Sequence, residues 1–269
     1  MCVSTPTRKP LDRHALWSAL SEKSDFWTEV DVVGVTGSTN ADLAEAARHG
    51  AEQGRVLIAE EQSSGRGRLD RQWVSPAGAG LTMSFLLRPT LPREQWGTLS
   101  IATAVALEET LRAVCGVNAK LKWPNDVLID GRKVCGILAQ VEGNAVIVGA
   151  GLNVSLTEEE LPVPEATSLQ IAGATELRRE TIAADFLAHV AAVYESWNER
   201  GPASVIERWR RNSATLGRHV AVSFPNGRNL SGRAVGIDSE GCLQVAADDA
   251  GGAVETVAAG DIVHLRPQD

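Results

Sequence analysis

The sequence predicts an α+β fold in which a central mixed β-sheet is flanked by helices and followed by a small C-terminal β-barrel. Three observations support this fold class. The chain has 269 residues, of which 43% are hydrophobic, so it can bury a large core. From Val30 onwards, short apolar runs typical of strands alternate with helical periodicity. Near Ala214 the pattern changes to short alternating runs separated by turn residues, as in small all-β domains.

Residues 1–28 are predicted to be a polar lead followed by one short helix. Leu11, Ala15, Leu16 and Leu20 have helical spacing in this region. A helix-turn-helix domain needs several helices, and this segment has room for one. The first ten residues also lack the apolar run of a signal peptide.

Residues 29–213 are predicted to form the main domain, in which strands and helices build one mixed sheet. Helices are expected at 38–49, 93–114 and 179–200, with a shorter one after Pro202. The first of these helices has Ser38 or Thr39 as its N-cap and Gly50 after its end. Strands are expected at 30–35, 56–59, 81–87, 121–123, 134–141 and 145–152.

Residues 214–269 are predicted to form the β-barrel. Its strands are expected at 219–224, 233–237, 243–246 and 262–265. Turn signals such as Pro225-Asn226-Gly227 separate them. Acidic side chains outnumber basic ones in this region, which argues against a basic RNA-binding surface.

Composition excludes several other classes of protein. The formal net charge is −8, so no general basic face for nucleic acid is expected. No apolar stretch is long enough to span a membrane. The four cysteines have neither the spacing of a zinc site nor that of a disulfide framework, which favours a reducing, cytoplasmic compartment. We therefore expect neither DNA nor a membrane as a partner.

The strongest local feature is a segment rich in glycine and arginine after the second strand. It reads Gln62-Ser63-Ser64-Gly65-Arg66-Gly67-Arg68, and Arg71 and Trp73 follow. Glycines let a backbone approach a ligand closely, guanidinium groups bind carboxylates and phosphates, and an indole offers a flat face to a nucleobase. No P-loop is present, so a nucleotide would be held in another way. The alternative is a solvated basic loop.

A second feature is Lys122-Trp123-Pro124-Asn125-Asp126, which Lys133 and Gly136 follow. Lysines hold carboxylates or phosphates as point charges, and a carboxylate can ligate Mg²⁺ or accept a proton. The alternative is a strand-end turn in which the proline sets the bend. Two weaker features are Ser38-Thr39-Asn40, which helix capping alone would explain, and the strand end Gly149-Ala150-Gly151-Leu152-Asn153.

In their order along the chain, these motifs resemble those of the biotin protein ligase family. The series is Ser-Thr-Asn, Gln-x-x-Gly-Arg-Gly-Arg, Lys-Trp-Pro-Asn-Asp, Lys-x-x-Gly-Ile-Leu and Gly-x-Gly-x-Asn, between Thr36 and Ser155. Each motif is moderately specific, whereas the ordered set is highly specific. The C-terminal barrel resembles that of the family as well. One departure is Leu69-Asp70, where many members have a further basic residue and a glycine.

The resemblance implies a fold and a reaction. The main sheet would be like that of class II synthetases, the barrel would be SH3-like, and the chain would be a monofunctional ligase without a DNA-binding domain. Biotin and MgATP would form biotinyl-5′-AMP and pyrophosphate. A lysine of a biotin carboxyl carrier protein, from acetyl-CoA carboxylase or another carboxylase, would then receive the biotin. Mg²⁺ would enter with ATP, and no side chain is assigned as its ligand. The sequence leaves open a monomer or a weak homodimer.

The resemblance also implies roles for individual residues. Those implied as catalytic are Lys133, Asp126 and Arg66. Those implied to bind biotin are Ser38, Thr39, Asn40, Gln62, Gly65, Arg66, Lys133, Gly136, Gly149 and Gly151. Those implied to bind the nucleotide are Arg68, Arg71, Trp73, Lys122, Asn125 and Asn153. Within this set, Lys133 would bridge the biotin carboxylate and the α-phosphate, and Asp126 would orient or deprotonate the attacking amine.

Three other interpretations stay open at the level of sequence. A lipoate–protein ligase shares the broad architecture and chemistry. A bifunctional ligase that also represses transcription is disfavoured by the short N-terminal segment and the acidic charge. A sensor that binds biotin or a nucleotide without turnover is disfavoured because Lys133, Asp126 and the arginines are all present.

Overall fold

The computed structural model describes residues 8–68, 71–224, 226–249, 251–258 and 261–264. The strands of its main sheet are β1 (Glu29–Thr36), β2 (Arg55–Gln62), β3 (Gly80–Leu87), β4 (Ala119–Lys122), β5 (Asp126–Ile129), β6 (Arg132–Glu142) and β7 (Ala145–Asn153). They lie in the order β1-β2-β3-β7-β6-β5-β4. The pair β1–β2 is parallel and the other neighbours are antiparallel, so the predicted mixed sheet is confirmed.

Helix α2 (Thr39–Arg48) is the crossover that the parallel pair β1–β2 requires. It packs on one face of the sheet through a small apolar cluster that includes Leu43 and Leu86. Alternation along β3 puts Ser84 and Leu86 on this face and Phe85 on the other. Every residue of β3 is buried, which is why its sequence is mostly apolar on both faces and does not alternate between apolar and charged residues.

The other four helices are α1 (Arg13–Ser21), α3 (Thr98–Val114), α4 (Arg179–Arg200) and α5 (Ala203–Arg211). Helix α4 contacts α1, α3 and β3, and α3 contacts the strands β4 to β6. The predicted N-terminal helix is α1, whose buried residues Leu16 and Leu20 face this layer. The helices and the sheet therefore enclose the main apolar core on the face opposite α2.

A second, five-stranded antiparallel sheet follows α5. Its strands are β8 (His219–Ser223), β9 (Asn229–Ile237), β10 (Leu243–Ala247), β11 (Val254–Val257) and β12 (Asp261–His264), in the order β11-β10-β9-β8-β12. Alternate residues of β9 are buried, as the alternating sequence predicts. The apolar core runs without interruption from the main sheet into this one, and the boundaries at 28/29 and 213/214 stay predictions.

The structure differs from several sequence expectations. The helix expected from Arg93 starts at Thr98, after a 3₁₀ turn, because the indole of Trp96 donates to the carbonyl of Leu91 and fixes the chain in between. Strands β5 and β11 were not anticipated. Ser38 is the N-cap of α2, but its hydroxyl makes no capping bond. Pro225 and Leu265 lie outside the described residues.

Candidate active site

A cavity of about 1130 Å³ opens on the α2 face of the main sheet. It is lined by all the residues predicted to bind or react except Gly65: Ser38, Thr39, Asn40, Gln62, Arg66, Arg68, Arg71, Trp73, Lys122, Asn125, Asp126, Lys133, Gly136, Gly149, Gly151 and Asn153. Gly65 is buried close by, and a Cβ atom there would lie 2.5 Å from the carbonyl oxygen of Trp73. The two cationic segments of the sequence therefore meet at one place.

The strand register explains why these distant residues meet. Across five neighbouring strands, Thr82 pairs with Gly151, Gly151 with Gly136, Gly136 with Asp126, and Asp126 with Lys122. Residues that pair directly on adjacent strands share one face of the sheet. This paired row therefore carries a carboxylate and an ammonium group onto the floor of the cavity, beside two glycines.

A β-bulge brings Lys133 onto the same face. The register of β5 and β6 shifts between Val127 and Leu128, so that Leu128 pairs with Lys133 and the regular alternation of β6 is broken. The Nζ atom of Lys133 then lies 2.5 Å from Oδ1 of Asp126. The two side chains are 35% and 20% exposed, so this ion pair is open to a ligand that enters the cavity.

The indole of Trp73 lies against the glycine floor. A Cβ atom at Gly151 would lie 2.3 Å from its Cε2 atom, and one at Gly136 would lie 3.3 Å from its Cζ3 atom. The Nζ atom of Lys133 is 5.7 Å from the centre of the indole ring, within the range of a cation–π contact. Among the described residues, the buried Nε1 atom has no hydrogen-bond partner. The expected stacking of this ring on adenine stays a prediction.

A network of hydroxyl and amide groups surrounds the N-terminus of α2. The Oε1 atom of Gln62 accepts a hydrogen bond from the backbone N–H of Thr39 at 2.8 Å. The hydroxyl oxygens of Thr39 and Ser84 are 2.7 Å apart, and Ser84 donates to Oδ1 of Asn40 at 2.6 Å. A Cβ atom at Gly149 would lie 2.2 Å from that Oδ1 atom. Fixed donors and acceptors of this kind can recognise a polar heterocycle.

The glycine- and arginine-rich segment forms a small turn over the cavity. The backbone N–H of Trp73 donates to the carbonyl of Gly65 at 2.9 Å, and that of Gly67 to the carbonyl of Arg71 at 2.7 Å. Leu69 and Asp70 lie outside the described residues. Among the described residues, the cavity lining contains five cationic side chains, which are Arg66, Arg68, Arg71, Lys122 and Lys133, and the two carboxylates of Asp126 and Glu165. This acidic protein therefore has a positively charged cavity, which favours an anionic ligand.

Two asparagines on the lining also hold the surrounding backbone. The Nδ2 atom of Asn125 donates to the carbonyl of Ile137. The buried Nδ2 atom of Asn153 donates to the carbonyl of Thr167 at 2.9 Å. Their predicted contacts with a nucleotide stay predictions, and the observed bonds give both residues a structural role as well.

Sequence reasoning missed the contribution of the second sheet. Ser223, Ile262 and His264 line the cavity. The Nε2 atom of His264 lies 3.2 Å from Oγ1 of Thr215, which accepts a hydrogen bond from the backbone N–H of Trp123 at 3.0 Å. Burial, followed by the charges of Lys122 and Arg218, lowers the pKa of His264 to about 4. No local signal in the sequence indicates this contact, because it depends on how the two sheets pack.

Other missed residues are Ser84 and the segment 162–166. The hydroxyl of Ser84 in a mostly apolar strand was a usable signal, since a buried polar group needs a partner. The segment 162–166 has no sequence feature that would predict its place at the cavity. It reaches the cavity because the backbone N–H of Lys133 donates to the carbonyl of Glu165 at 2.7 Å.

Comparison with known proteins defines the class of protein. Residues 32–155 match the Biotin/lipoate A/B protein ligase family, and residues 215–265 match the Biotin protein ligase C terminal domain. The chain is 41% identical to the biotin–[acetyl-CoA-carboxylase] ligase of Mycobacterium tuberculosis, over 96% of this chain and 97% of that protein. It is 31% identical to the bifunctional ligase/repressor BirA of Escherichia coli, over 81% of this chain and 70% of that protein.

Solved structures agree with this class. The biotin protein ligase from Aquifex aeolicus in complex with biotin and ATP has a TM-score of 0.75 and 25% identity, covering 89% of this chain and 100% of that chain. The Leishmania major enzyme in complex with biotinyl-5-AMP has a TM-score of 0.63 at 24% identity, which shows the shared fold. Fold and cavity thus define a ligase of the biotin and lipoate class. The chain belongs to the biotin protein ligase family, as its ordered motifs predicted.

Within the described ranges, no group of three or more His, Cys, Asp or Glu side chains is arranged to hold a metal ion. In the same part of the chain, no helix combines the length and the apolar character needed to span a bilayer.

Proposed function

We propose that this chain is an ATP-dependent ligase that activates biotin as biotinyl-5′-AMP and transfers it to a lysine of a biotin carboxyl carrier protein. The observation that carries the proposal is the paired row, which brings Lys122 and Asp126 beside Lys133 on a glycine floor. Three cationic side chains of the Gly-Arg segment face the same cavity. The cavity can therefore hold an acid and a triphosphate together.

Biotin fits the part of the cavity nearest α2. Its ureido ring needs both donors and acceptors, which Ser38, Thr39, Asn40 and Gln62 supply around the network of Ser84. Its apolar body and side chain would lie along the floor formed by Gly149 and Gly151. A site built on such hydrogen bonds rejects analogues that lack the matching polar groups, because its own groups would then be left unpaired.

The nucleotide would occupy the cationic part of the cavity. Arg68, Arg71 and Lys122 would hold its phosphates, with Asn125 and Asn153 as further contacts, and the indole of Trp73 would cover the adenine. Mg²⁺ would arrive as part of the substrate MgATP. When bound, the ion would neutralise phosphate charge.

In the first half-reaction, a carboxylate oxygen of biotin attacks the α-phosphorus, and the bond to pyrophosphate breaks. Negative charge on the phosphate oxygens grows in the transition state. Lys133 would stabilise that charge, and Arg66 would hold the carboxylate and cover the reacting atoms. The contact between Lys133 and the indole of Trp73 fixes where the ammonium group lies.

In the second half-reaction, the amine of the carrier lysine attacks the acyl carbon, AMP leaves, and an amide forms with loss of one proton. An ordinary lysine amine has a pKa near ~10.4, so a small fraction of it is neutral at pH 7. Asp126 would orient this amine or receive its proton. Asp126 is paired with Lys133, so it would lie close to the attacked carbon if Lys133 holds the acyl phosphate.

The remaining features of the proposal concern the whole protein. The proposed compartment is the cytoplasm, and the cysteines support it, since Cys115, Cys135 and Cys242 are free thiols. We propose that neither DNA nor a membrane is a partner, and that the chain is a monomer or a weak homodimer. Residues 29–213 would form the catalytic domain, with 1–28 as a lead and 214–269 as a small barrel.

The proposal is tested by incubating the protein with biotin, MgATP and a biotin carboxyl carrier domain. Mass measurement of the carrier should show one added biotinyl group, at one lysine. Matched reactions without ATP, and with a carrier whose target lysine is replaced by arginine, should show none. An excess of lipoate should not suppress labelling. An unlabelled carrier would overturn the proposal. Transfer of lipoate in place of biotin would show that the chain is a lipoate–protein ligase.

A further inference from the structure

The first described residues form an N-terminal arm, residues 8–12, that is fixed to the main sheet. The backbone N–H of Leu11 donates to Oε1 of Glu60 at 2.5 Å, and the guanidinium of Arg179 donates to the carbonyl of Lys9 at 2.8 Å. Arg179 is buried and also forms an ion pair with Glu60, with 2.6 Å between Nη1 and Oε2. The arm therefore has a defined path along the protein.

At the start of this arm, the guanidinium of Arg8 bonds to two residues that follow β7. Its Nη1 and Nη2 atoms lie 3.0 and 2.5 Å from the two carboxylate oxygens of Glu160. Its Nε and Nη2 atoms donate to the hydroxyl and the carbonyl of Ser155, at 3.1 and 2.9 Å. The Arg8 side chain is 10% exposed, and this hydrogen-bonded pairing lowers the pKa of Glu160.

Residues 155–167, which we call the wall segment, connect this ion pair to the cavity. Pro162, Val163, Glu165 and Ala166 line the cavity. The segment also pairs with the backbone of Lys133. The N–H of Lys133 donates to the carbonyl of Glu165 at 2.7 Å, and the N–H of Thr167 donates to the carbonyl of Lys133 at 2.8 Å.

Arg132 holds the wall segment from the other side. Its Nε atom donates to the carbonyl of Ala166 at 2.8 Å, and its Nη atoms bond to both carboxylate oxygens of Glu158. Residues 161–165 therefore lie between two arginine-held points, at 158–160 and at 166. Loss of Arg8 would remove its bonds to Ser155 and Glu160, whereas the bonds of Arg132 to Glu158 and Ala166 would stay in place.

We propose that Arg8 is a positioning residue for the wall segment: by binding Ser155 and Glu160, it holds that segment over Lys133 and so keeps water from the bound adenylate until a carrier arrives. The inference rests on the proposed adenylation and transfer. Shielding of a reactive intermediate by a covering segment is a general requirement of such chemistry, because a mixed anhydride in contact with water is hydrolysed to the acid and AMP.

The test compares Arg8→Gln with the wild type in reactions that contain biotin and MgATP but no carrier. One pyrophosphate per enzyme should still be released rapidly in both proteins. The later, continuous release of AMP should be faster in Arg8→Gln by about tenfold. Glu160→Gln should also increase this release, because it removes the ion pair but leaves the bonds of Arg8 to Ser155, and the double variant should not exceed Arg8→Gln, in which the ion pair is already lost.

The matched control is Arg13→Gln, which removes an arginine that ties the same region to Asp31 and to the carbonyl of Val30 but does not touch the wall segment. Its carrier-free AMP release should equal that of the wild type. If Arg8→Gln and Glu160→Gln behave like this control, or if their effects add in the double variant, the role of Arg8 is wrong. Absence of rapid, biotin-dependent pyrophosphate release in the wild type would overturn the proposed function itself.

Discussion

The ammonium group of Lys133 and the carboxylate of Asp126 are 2.5 Å apart, although their strands are joined by a hairpin in which regular alternation would put them on opposite faces. The bulge in β6 removes that obstacle. At this distance the ion pair holds both side chains in place. In the proposed mechanism, the pair would combine a cation for a developing phosphate charge with a base for an incoming amine.

Replacing Asp126 by asparagine should slow the reaction without changing the shape of the site. The amide keeps the size of the side chain but removes both the negative charge and the capacity to accept a proton. We expect at least one half-reaction to slow by tenfold or more, which corresponds to about 1.4 kcal/mol. Adenylate formation and transfer to the carrier are measured separately by rapid quench. If both steps keep wild-type rates, Asp126 has no catalytic part.

Replacing Ser84 by alanine should weaken the polar network and the binding of biotin. The hydroxyl of Ser84 donates to Asn40 and lies 2.7 Å from the hydroxyl of Thr39, and it is fully buried. Its removal leaves buried partners unsatisfied, at an expected cost of about 1–3 kcal/mol in the free energy of unfolding. We also expect a higher KM for biotin with an unchanged KM for ATP. Ser21→Ala, at an exposed helix end, is the control. An equal rise in both KM values would contradict the assignment of this end to biotin.

Replacing Gly151 by alanine should displace Trp73. The added methyl group would lie 2.3 Å from the indole, which is closer than any stable contact. The ring would have to leave the glycine floor and its place beside Lys133. We expect kcat/KM for carrier labelling to fall by about tenfold or more. Gly34→Ala is the matched control, because a Cβ atom at that exposed strand position meets nothing within 4 Å. Wild-type activity in Gly151→Ala would show that the ring position is irrelevant.

The stability of the protein should depend on His264 between pH 6.5 and pH 4. Burial holds the pKa of this imidazole at about 4 in the folded protein, against 6.5 when it is unperturbed. Between these values the unfolded chain binds the proton and the folded chain does not, so acidification lowers the free energy of unfolding. His264→Gln should lose less stability than the wild type over this range, as followed by urea unfolding. His14→Gln, at an exposed helix position, should behave like the wild type. Parallel pH profiles for the wild type and His264→Gln would contradict this account.

Most elements of the fold were predictable from local patterns. The stripe on α3, the mostly apolar run of β3 and the alternation in β9 each reflect the burial of one element. The motifs of the candidate site were visible for a different reason. A site that binds carboxylates or phosphates needs cationic side chains and close backbone approach in any fold. The Gly-Arg segment and the lysine–carboxylate motif supply these residue types.

The arrangement of the site could not be predicted in the same way. The pairing of Gly136 with both Asp126 and Gly151 depends on the register of three strands, and the bulge beside Lys133 shifts that register by one residue. The contact of His264 depends on the packing of two sheets, and the ion pair of Arg8 joins residues 152 positions apart. These are tertiary relationships, and no short stretch of sequence encodes them.

The most direct test of the central claim is biotin-dependent exchange of labelled pyrophosphate into ATP, which measures the first half-reaction alone. The wild type should catalyse this exchange. Lys133→Ala should reduce it by about a hundredfold or more, since the cation that faces the developing charge is gone, while its circular dichroism stays that of the wild type. Lys120→Ala, on β4 but outside the cavity lining, should exchange normally. Undiminished exchange by Lys133→Ala, or exchange that does not require biotin, would contradict the joining of acid and nucleotide at this site.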